Sequence, residues 1–218
     1  ADCGKIVEAV KRSGKTYMMA ENYCYFHYVR EWKKLIEAGR LGDIYYAEGE
    51  YIHEIINLLI DAETGGYYWR HERPPIWYCA HTLGPVLMLM NDRIVKGCGV
   101  TSGFHKVPDQ TDHPGFLDIE VGLFQTQKGA LVKIVRSQVA ARYPHMVWYS
   151  LYGTKGYVEN NRADARNGEG LLFLDGEMDP KEGAKTMPCP ISDPNAPKEA
   201  GPGGHGTSEF YMIRDFVD

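Results

Sequence analysis

The sequence of 218 residues lacks several features that would assign it to a special class of protein. No apolar run approaches the roughly 20 residues that a membrane-spanning helix requires, and there is no internal repeat or low-complexity tract. The net charge is −5, which opposes binding to a phosphate polymer such as nucleic acid. Apolar residues make up 44% and charged residues 24%, as in ordinary globular domains. We therefore expect a globular protein that binds neither a membrane nor nucleic acid.

Paired cysteines are also missing. The five cysteines are scattered, odd in number and never arranged as C-x-x-C. This pattern predicts reduced thiols rather than a disulfide framework or a zinc cluster, and it favours the cytoplasm. The polar stretch that contains His105, Asp109, Asp112 and His113 matches no metal-ligand spacing. We therefore expect no bound metal.

The first segment has the pattern of a helix followed by a strand. Ile6, Val7 and Val10 share one face of a short helix that Gly14 would end. The apolar run at residues 17–20 predicts a short buried strand. Such a unit normally adds to a parallel sheet, so we expect this segment to belong to a longer protein.

The rest of the chain alternates between helical and strand periodicity. Apolar residues at helical spacing predict helices at 29–39, 78–90 and 210–216. Strands are predicted at 44–53, 117–124, 131–139, 146–152, 157–159 and 171–174, and the turns between successive strands indicate hairpins. Residues 176–206 are rich in Pro and Gly and predict a long loop. The predicted fold class is α+β, with a large open, mainly antiparallel sheet and helices on one face.

Five segments carry a resemblance to a known family. They are KTYMMAENY at 15–23, LIEAGRLGDI at 35–44, YCAHTLGPV at 78–86, YGTKGYVE at 152–159, and the stretch around His205 that leads into the last helix. Their order resembles the Gfo/Idh/MocA oxidoreductases, in which a Rossmann domain precedes an α/β domain with a large open sheet. The resemblance implies that residues 1–22 are the last unit of a dinucleotide-binding domain. Residues 23–218 would form the domain for substrate binding and oligomerisation.

The third segment indicates a particular branch of that family. Tyr78, His81, Gly84 and Pro85 match the Tyr-x-x-His-x-x-Gly-Pro pattern of NAD-dependent glycosidases such as α-N-acetylgalactosaminidases. The inositol-dehydrogenase branch tends to have an Asp four residues before the His, where this sequence has Trp77. On a helix, Tyr78 and His81 would share a face, and both side chains suit proton transfer near neutral pH. We therefore predict that these two are catalytic.

Further site residues follow from the resemblance. Asn22 would lie beside the nicotinamide of the cofactor. The candidate substrate contacts are Tyr23, His53, Trp69, Arg70 and His205. Each has a structural interpretation as well, because Asn22 could cap a strand end, Arg70 could pair with a carboxylate, and a buried His81 could bind a backbone carbonyl.

The resemblance implies an enzyme that uses NAD or NADP to oxidise a sugar or sugar derivative, with acid–base help from Tyr78 and His81. The glycine-rich phosphate loop and the family's catalytic Lys would precede residue 1, so we expect this chain alone to be inactive. Three alternatives stay open: a redox glycosidase, a non-sugar reductase like biliverdin reductase, and a non-catalytic module for sugar binding or oligomerisation. A homo-oligomer would form through the open sheet.

Overall fold

A computed structural model of the chain describes residues 2–163, 168–201 and 203–218. Within these ranges the helices are α1 (Asp2–Ser13), α2 (His27–Glu37), α3 (Ala80–Met90) and α4 (Ser208–Val217). The strands are β1 (Ile44–Ile52), β2 (Ile94–Thr101), β3 (Glu120–Thr126), β4 (Leu131–Ser137), β5 (Met146–Gly153), β6 (Gly156–Glu159), β7 (Glu169–Leu174) and β8 (Lys185–Pro188). The first residue of the predicted 1–22 segment lies outside the described residues.

The strands form one open sheet in the order β2-β3-β4-β1-β5-β6-β7-β8. All neighbours are antiparallel except β1 and β4, which pair in parallel at the centre of the sheet. The parallel register places Tyr51 of β1 opposite Arg136 of β4. The predicted α+β class and the open, mainly antiparallel sheet are confirmed.

The hydrophobic core lies between one face of this sheet and helices α2 and α3. Because side chains alternate along a strand, Val132 and Ile134 of β4 point into the core, where they cluster with Trp32 and Val86 from the helices. Helix α3 approaches β1 closely at Gly49, where a Cβ would lie only 2.7 Å from the backbone oxygen of Thr82. Glycine at this position therefore allows the first turn of α3 to rest on the sheet.

The opposite face of the sheet is open. Val100, Leu123 and Leu131 lie on this face and are each more than half exposed. The charged groups Glu48 and Lys133 form an ion pair on it. This face thus combines apolar and charged side chains at the surface.

The structure corrects several element predictions. Residues 15–20 have no regular secondary structure, and Tyr17 and Met19 are 56% and 65% exposed, so the predicted buried strand is absent. Strand β2 was missed because Gly97 and Gly99 interrupt its pattern and nearly all of it is exposed. The segment 176–206 is not all loop, since β8 pairs there with β7 at the edge of the sheet.

The helix predicted at 78–90 begins later than expected. Helix α3 starts at Ala80, and Tyr78 ends a separate 3₁₀ turn that spans Pro75–Tyr78. Pro74 has an extended backbone conformation immediately before this turn, and Pro75 is the first residue of the turn. Tyr78 and His81 therefore do not share one α-helix, and their proximity has to be read from their contacts.

Candidate functional site

His81 lies in the first turn of α3 and is 9% exposed. Its backbone carbonyl accepts a hydrogen bond from the hydroxyl of the buried Tyr149 on β5, which ties this turn to the sheet. Its imidazole stacks on the ring of Tyr23, with the centroids 3.8 Å apart and the planes 6° from parallel. The ring of Tyr51 meets it edge-on at 5.6 Å. The imidazole is therefore held on several sides.

Glu21 is the hydrogen-bond partner of His81. Its Oε1 atom lies 2.6 Å from His81 Nδ1 and also accepts the backbone N–H of Tyr23, at 3.1 Å. The second contact caps the 3₁₀ turn Asn22–Tyr25 and fixes the carboxylate. A carboxylate at Nδ1 favours the tautomer that carries its proton there. The Nε2 atom of His81 is then left as an acceptor.

Tyr78 is the hydrogen-bond partner of that second nitrogen. Its hydroxyl lies 3.2 Å from His81 Nε2, and its side chain is 42% exposed. Burial raises the pKa of the Tyr78 phenol, and the negative charge of Glu21 acts in the same direction. The phenol therefore stays protonated at neutral pH and donates to His81. Glu21, His81 and Tyr78 form a continuous hydrogen-bonded series that ends at the protein surface.

This series forms part of the wall of a cleft of about 630 Å³. The cleft brings together most of the residues predicted from the sequence, namely Asn22, His53, Arg70, Tyr78, His81 and His205. Tyr23 is instead buried beneath His81, at 4% exposure, and it borders a smaller adjoining pocket. Trp69 lines a second cleft of about 300 Å³ that shares Arg70 and Tyr78 with the first.

Two of the predicted contacts are joined by Glu209 on α4. Its Oε1 atom accepts from Asn22 Nδ2 at 3.3 Å and lies 2.7 Å from His205 Nδ1. The stretch before α4 is thereby attached to the segment that carries Glu21. His53 lies at the far end of β1, where its Nδ1 is 2.6 Å from the hydroxyl of Tyr51.

The loop that carries Trp69 and Arg70 forms a rim between the two clefts. Arg70 stacks on Trp69, with its guanidinium carbon 4.4 Å from the ring centroid. Trp77, on the same second cleft, is 71% exposed. An exposed indole beside a cleft offers a flat apolar surface to a ligand ring.

Arg136 enters the same cleft from the sheet. It is 1% exposed, and its guanidinium lies over the ring of Tyr51, 4.3 Å from the centroid. Its Nε atom donates to the carbonyl of Pro75 at 3.3 Å, whereas its Nη1 atom has no hydrogen-bond partner among the described residues. Burial lowers the pKa of this guanidinium below its usual value, but it remains charged near neutrality.

The comparisons with known proteins fit this arrangement. No family model matches the chain. A glycosyl hydrolase family 109 protein of Phocaeicola vulgatus is 28% identical over 73% of this chain and 44% of that protein. A glycosyl hydrolase family 109 protein of Shewanella putrefaciens is 27% identical, with 97% of this chain and 51% of that protein covered. The chain thus spans about half the length of the curated relatives that it matches.

Solved structures give the fold. An NAD binding oxidoreductase from Klebsiella pneumoniae aligns with this chain at a TM-score of 0.73 and 20% identity. The alignment covers 97% of this chain and 58% of the Klebsiella chain. The chain has the fold of the C-terminal domain of Gfo/Idh/MocA oxidoreductases. The Gfo/Idh/MocA resemblance predicted from the sequence is confirmed. A levoglucosan dehydrogenase in complex with NADH and levoglucosan aligns with a TM-score of 0.70 at 17% identity. This alignment covers 92% of this chain and 56% of the dehydrogenase chain.

Sequence reasoning missed Glu21, Tyr51 and Arg136, which border the cleft. Glu21 stands beside Asn22 in a segment already singled out, but its partner is 60 positions away. Tyr51 is one of 15 tyrosines, and nothing in its neighbourhood distinguishes it. Arg136 could have been found, because it continues the inward positions of Val132 and Ile134 in β4. A charged residue at an inward position is an exception that calls for a ligand or a partner.

The described residues contain neither a metal-ion cluster nor a membrane-spanning helix. Over residues 2–163, 168–201 and 203–218, no three His, Cys, Asp or Glu side chains are grouped closely enough to hold a metal ion. The helices in the same ranges include none with the length and apolar character that crossing a membrane demands.

Proposed function

We propose that this chain is the substrate-binding part of an NAD(P)-dependent oxidoreductase that acts on a sugar or sugar derivative. The observation that carries this proposal is the hydrogen-bonded series from Glu21 through His81 to Tyr78 in the wall of the 630 Å³ cleft. A structural relative binds NADH together with levoglucosan. This likeness supports a sugar in the cleft and a nicotinamide nearby.

The residues of this chain fit only one end of such a cofactor. Asn22 and the exposed side chain of Met19 border the cleft and offer an amide and an apolar surface to a nicotinamide ring. No strand in the described residues leads through a glycine-rich turn into a helix, which is the usual cradle for the pyrophosphate. We propose that a dinucleotide-binding domain, to which residues 1–22 belong, supplies that cradle. The chain by itself would then be inactive.

The proton path follows from the hydrogen bonds. Bound NAD(P) would accept the hydride from the sugar carbon. The substrate hydroxyl gives its proton to the Tyr78 oxygen while Tyr78 passes its own proton to Nε2 of His81. Because burial raises the pKa of Tyr78, a free phenolate is disfavoured, and Tyr78 relays the proton instead of storing it. Glu21 then stabilises the imidazolium through Nδ1.

A redox glycosidase is the second candidate. In that reaction, oxidation at one sugar carbon acidifies the neighbouring C–H, elimination expels the leaving group, water adds, and re-reduction completes a net hydrolysis. The second cleft favours this alternative because it adjoins the first and exposes Trp69 and Trp77 to a leaving group. The matches to glycosyl hydrolase family 109 proteins point in the same direction.

Oligomerisation is a separate proposal. The open face of the sheet carries the exposed Val100, Leu123 and Leu131, and isologous pairing of such faces would produce a closed homo-oligomer.

If the full-length protein binds no NAD(P), a non-catalytic module for sugar binding or assembly becomes the better interpretation. The cytoplasmic location expected from the cysteines stays a prediction.

The test uses the full-length protein that contains this chain. It is incubated with NAD or NADP and a panel of free sugars and nitrophenyl glycosides, beside a His81→Ala variant and a His105→Ala control on an exposed loop. Accumulation of NADH or NADPH with a free sugar supports the oxidoreductase. Cofactor-dependent nitrophenol release without such accumulation supports the glycosidase. In both cases we expect His81→Ala to abolish turnover and the control to keep it. No turnover and no cofactor binding would overturn the proposal.

A further inference from the structure

Arg136 borders the same cleft, and the proposed proton path does not use its chemistry. It occupies an inward position of β4, between Tyr51 on β1 and Glu120 on β3. At 1% exposure it is among the most deeply buried side chains described. A guanidinium in such a place normally has a carboxylate to compensate its charge.

Among the described residues, no carboxylate forms an ion pair or a hydrogen bond with Arg136. Glu120 is also buried and pairs with Arg136 across the two strands, so its charge attracts the guanidinium, but its Oε2 atom accepts the backbone N–H of Ile76 at 2.7 Å. Glu21 is committed to His81 at 2.6 Å. The hydrogen bond of Nε to Pro75 leaves Nη1 without an acceptor. Arg136 therefore has one donor, Nη1, that the described protein does not satisfy, and Glu120 compensates its charge without a direct contact.

The position of Arg136 relates it to the proton-transfer series. Tyr51 and Tyr78 each contact both groups: their ring centroids lie 4.3 and 5.5 Å from the Arg136 guanidinium carbon, and 5.6 and 5.0 Å from the His81 ring. Arg136 and His81 thus border the same cleft and contact the same two tyrosine rings. A pyranose could place its reacting hydroxyl at Tyr78 and a substituent at Arg136.

We propose that Arg136 binds a carboxylate of the substrate, so that the cleft selects sugar acids, such as hexuronic acids or their glycosides, over neutral sugars. This inference rests on the proposed function, because it needs a sugar in this cleft. A carboxylate suits the planar fork of a guanidinium, to which it forms paired, charge-assisted hydrogen bonds. It also brings a negative charge into direct contact with the guanidinium, which a sugar hydroxyl does not do.

The experiment compares matched ligand pairs that differ only in the carboxylate. Dissociation constants are measured calorimetrically for methyl glucuronide against methyl glucoside, and for galacturonate against galactose, with the full-length protein saturated with its cofactor. Hydrogen bonds to charged groups are worth a discrimination of about 10- to 100-fold. We expect the wild type to prefer at least one acid by that factor. Arg136→Met should remove the preference and leave the neutral partner within about twofold.

Controls separate the possible failures. Arg40→Met, on an exposed ion pair with Glu177, should keep the full preference. Arg136→Lys retains the charge without the fork and serves if the Met variant does not fold, with an expected intermediate preference. Equal binding of acids and neutral sugars by the wild type overturns the inference and leaves the proposed function intact. Binding of no sugar overturns both. Loss of NAD(P) affinity in Arg136→Met with the acid preference unchanged assigns the guanidinium to the cofactor and also overturns the inference.

Discussion

Replacing Glu21 by Gln should isolate the contribution of its charge to the action of His81. Glu21 Oε1 accepts from both His81 Nδ1 and the Tyr23 backbone N–H. A Gln carbonyl oxygen can keep both contacts, so the ring orientation and the tautomer should survive. What is lost is the negative charge beside a forming imidazolium. A charge-assisted hydrogen bond exceeds a neutral one by roughly 1–2 kcal/mol, which corresponds to a loss of about 5- to 30-fold in kcat.

The assay is steady-state kinetics of the full-length protein with NAD(P) and its best sugar. We expect kcat to fall by that factor, KM to stay within about twofold, and the free energy of unfolding to change by less than about 1 kcal/mol. Glu177→Gln removes an exposed carboxylate that pairs with Arg40 and does not line the cleft, and it should change none of these values. An unchanged kcat in Glu21→Gln, together with an inactive His81→Ala variant, would refute the charge argument and leave Glu21 as a cap only.

Three further changes test other steps. Tyr78→Phe should lower kcat by about 10- to 100-fold in the same assay with an unchanged unfolding midpoint, because its hydroxyl carries the relay; full activity would contradict that role. Gly49→Ala should cost about 1–3 kcal/mol in urea unfolding, since its Cβ would lie 2.7 Å from Thr82 O, whereas Gly201→Ala, with nothing within 4 Å, should be neutral. Burial raises the pKa of Cys189 from 9.0 to about 12. The contribution of the neutral thiol to stability is therefore present below pH 9 and is lost as the pH rises towards 12. The free energy of unfolding should fall by about 2 kcal/mol by about pH 10.5, and this fall should be smaller in Cys189→Ala.

The parts of the fold that were predicted correctly are those in which local pattern and final environment agree. Helix α2 buries one face, and strand β4 alternates between buried and more exposed residues, so the periodicity of each reports its burial. Strand β2 has no such alternation because it lies exposed at the edge of the sheet. The parallel pairing of β1 with β4 joins segments about 85 positions apart, and no local signal encodes that choice.

The candidate site divides in the same way. Tyr78 and His81 stand three positions apart, so a short motif was enough to propose them together, although the intervening backbone is a 3₁₀ turn followed by a helix start. Glu21 and Arg136 act through partners that only the tertiary structure brings near. Their roles depend on which carboxylate faces which cation, and sequence spacing does not determine that.

Gly84 connects the motif with the residue that the motif does not contain. A Cβ at this position would lie 2.8 Å from Glu21 Cγ, so any larger side chain would push the carboxylate away from His81. The glycine lies three positions after His81, one turn further along α3, and faces the same neighbour. The spacing His-x-x-Gly therefore has a physical meaning: one turn of helix presents the imidazole to a carboxylate, and the next turn leaves that carboxylate the room to reach it.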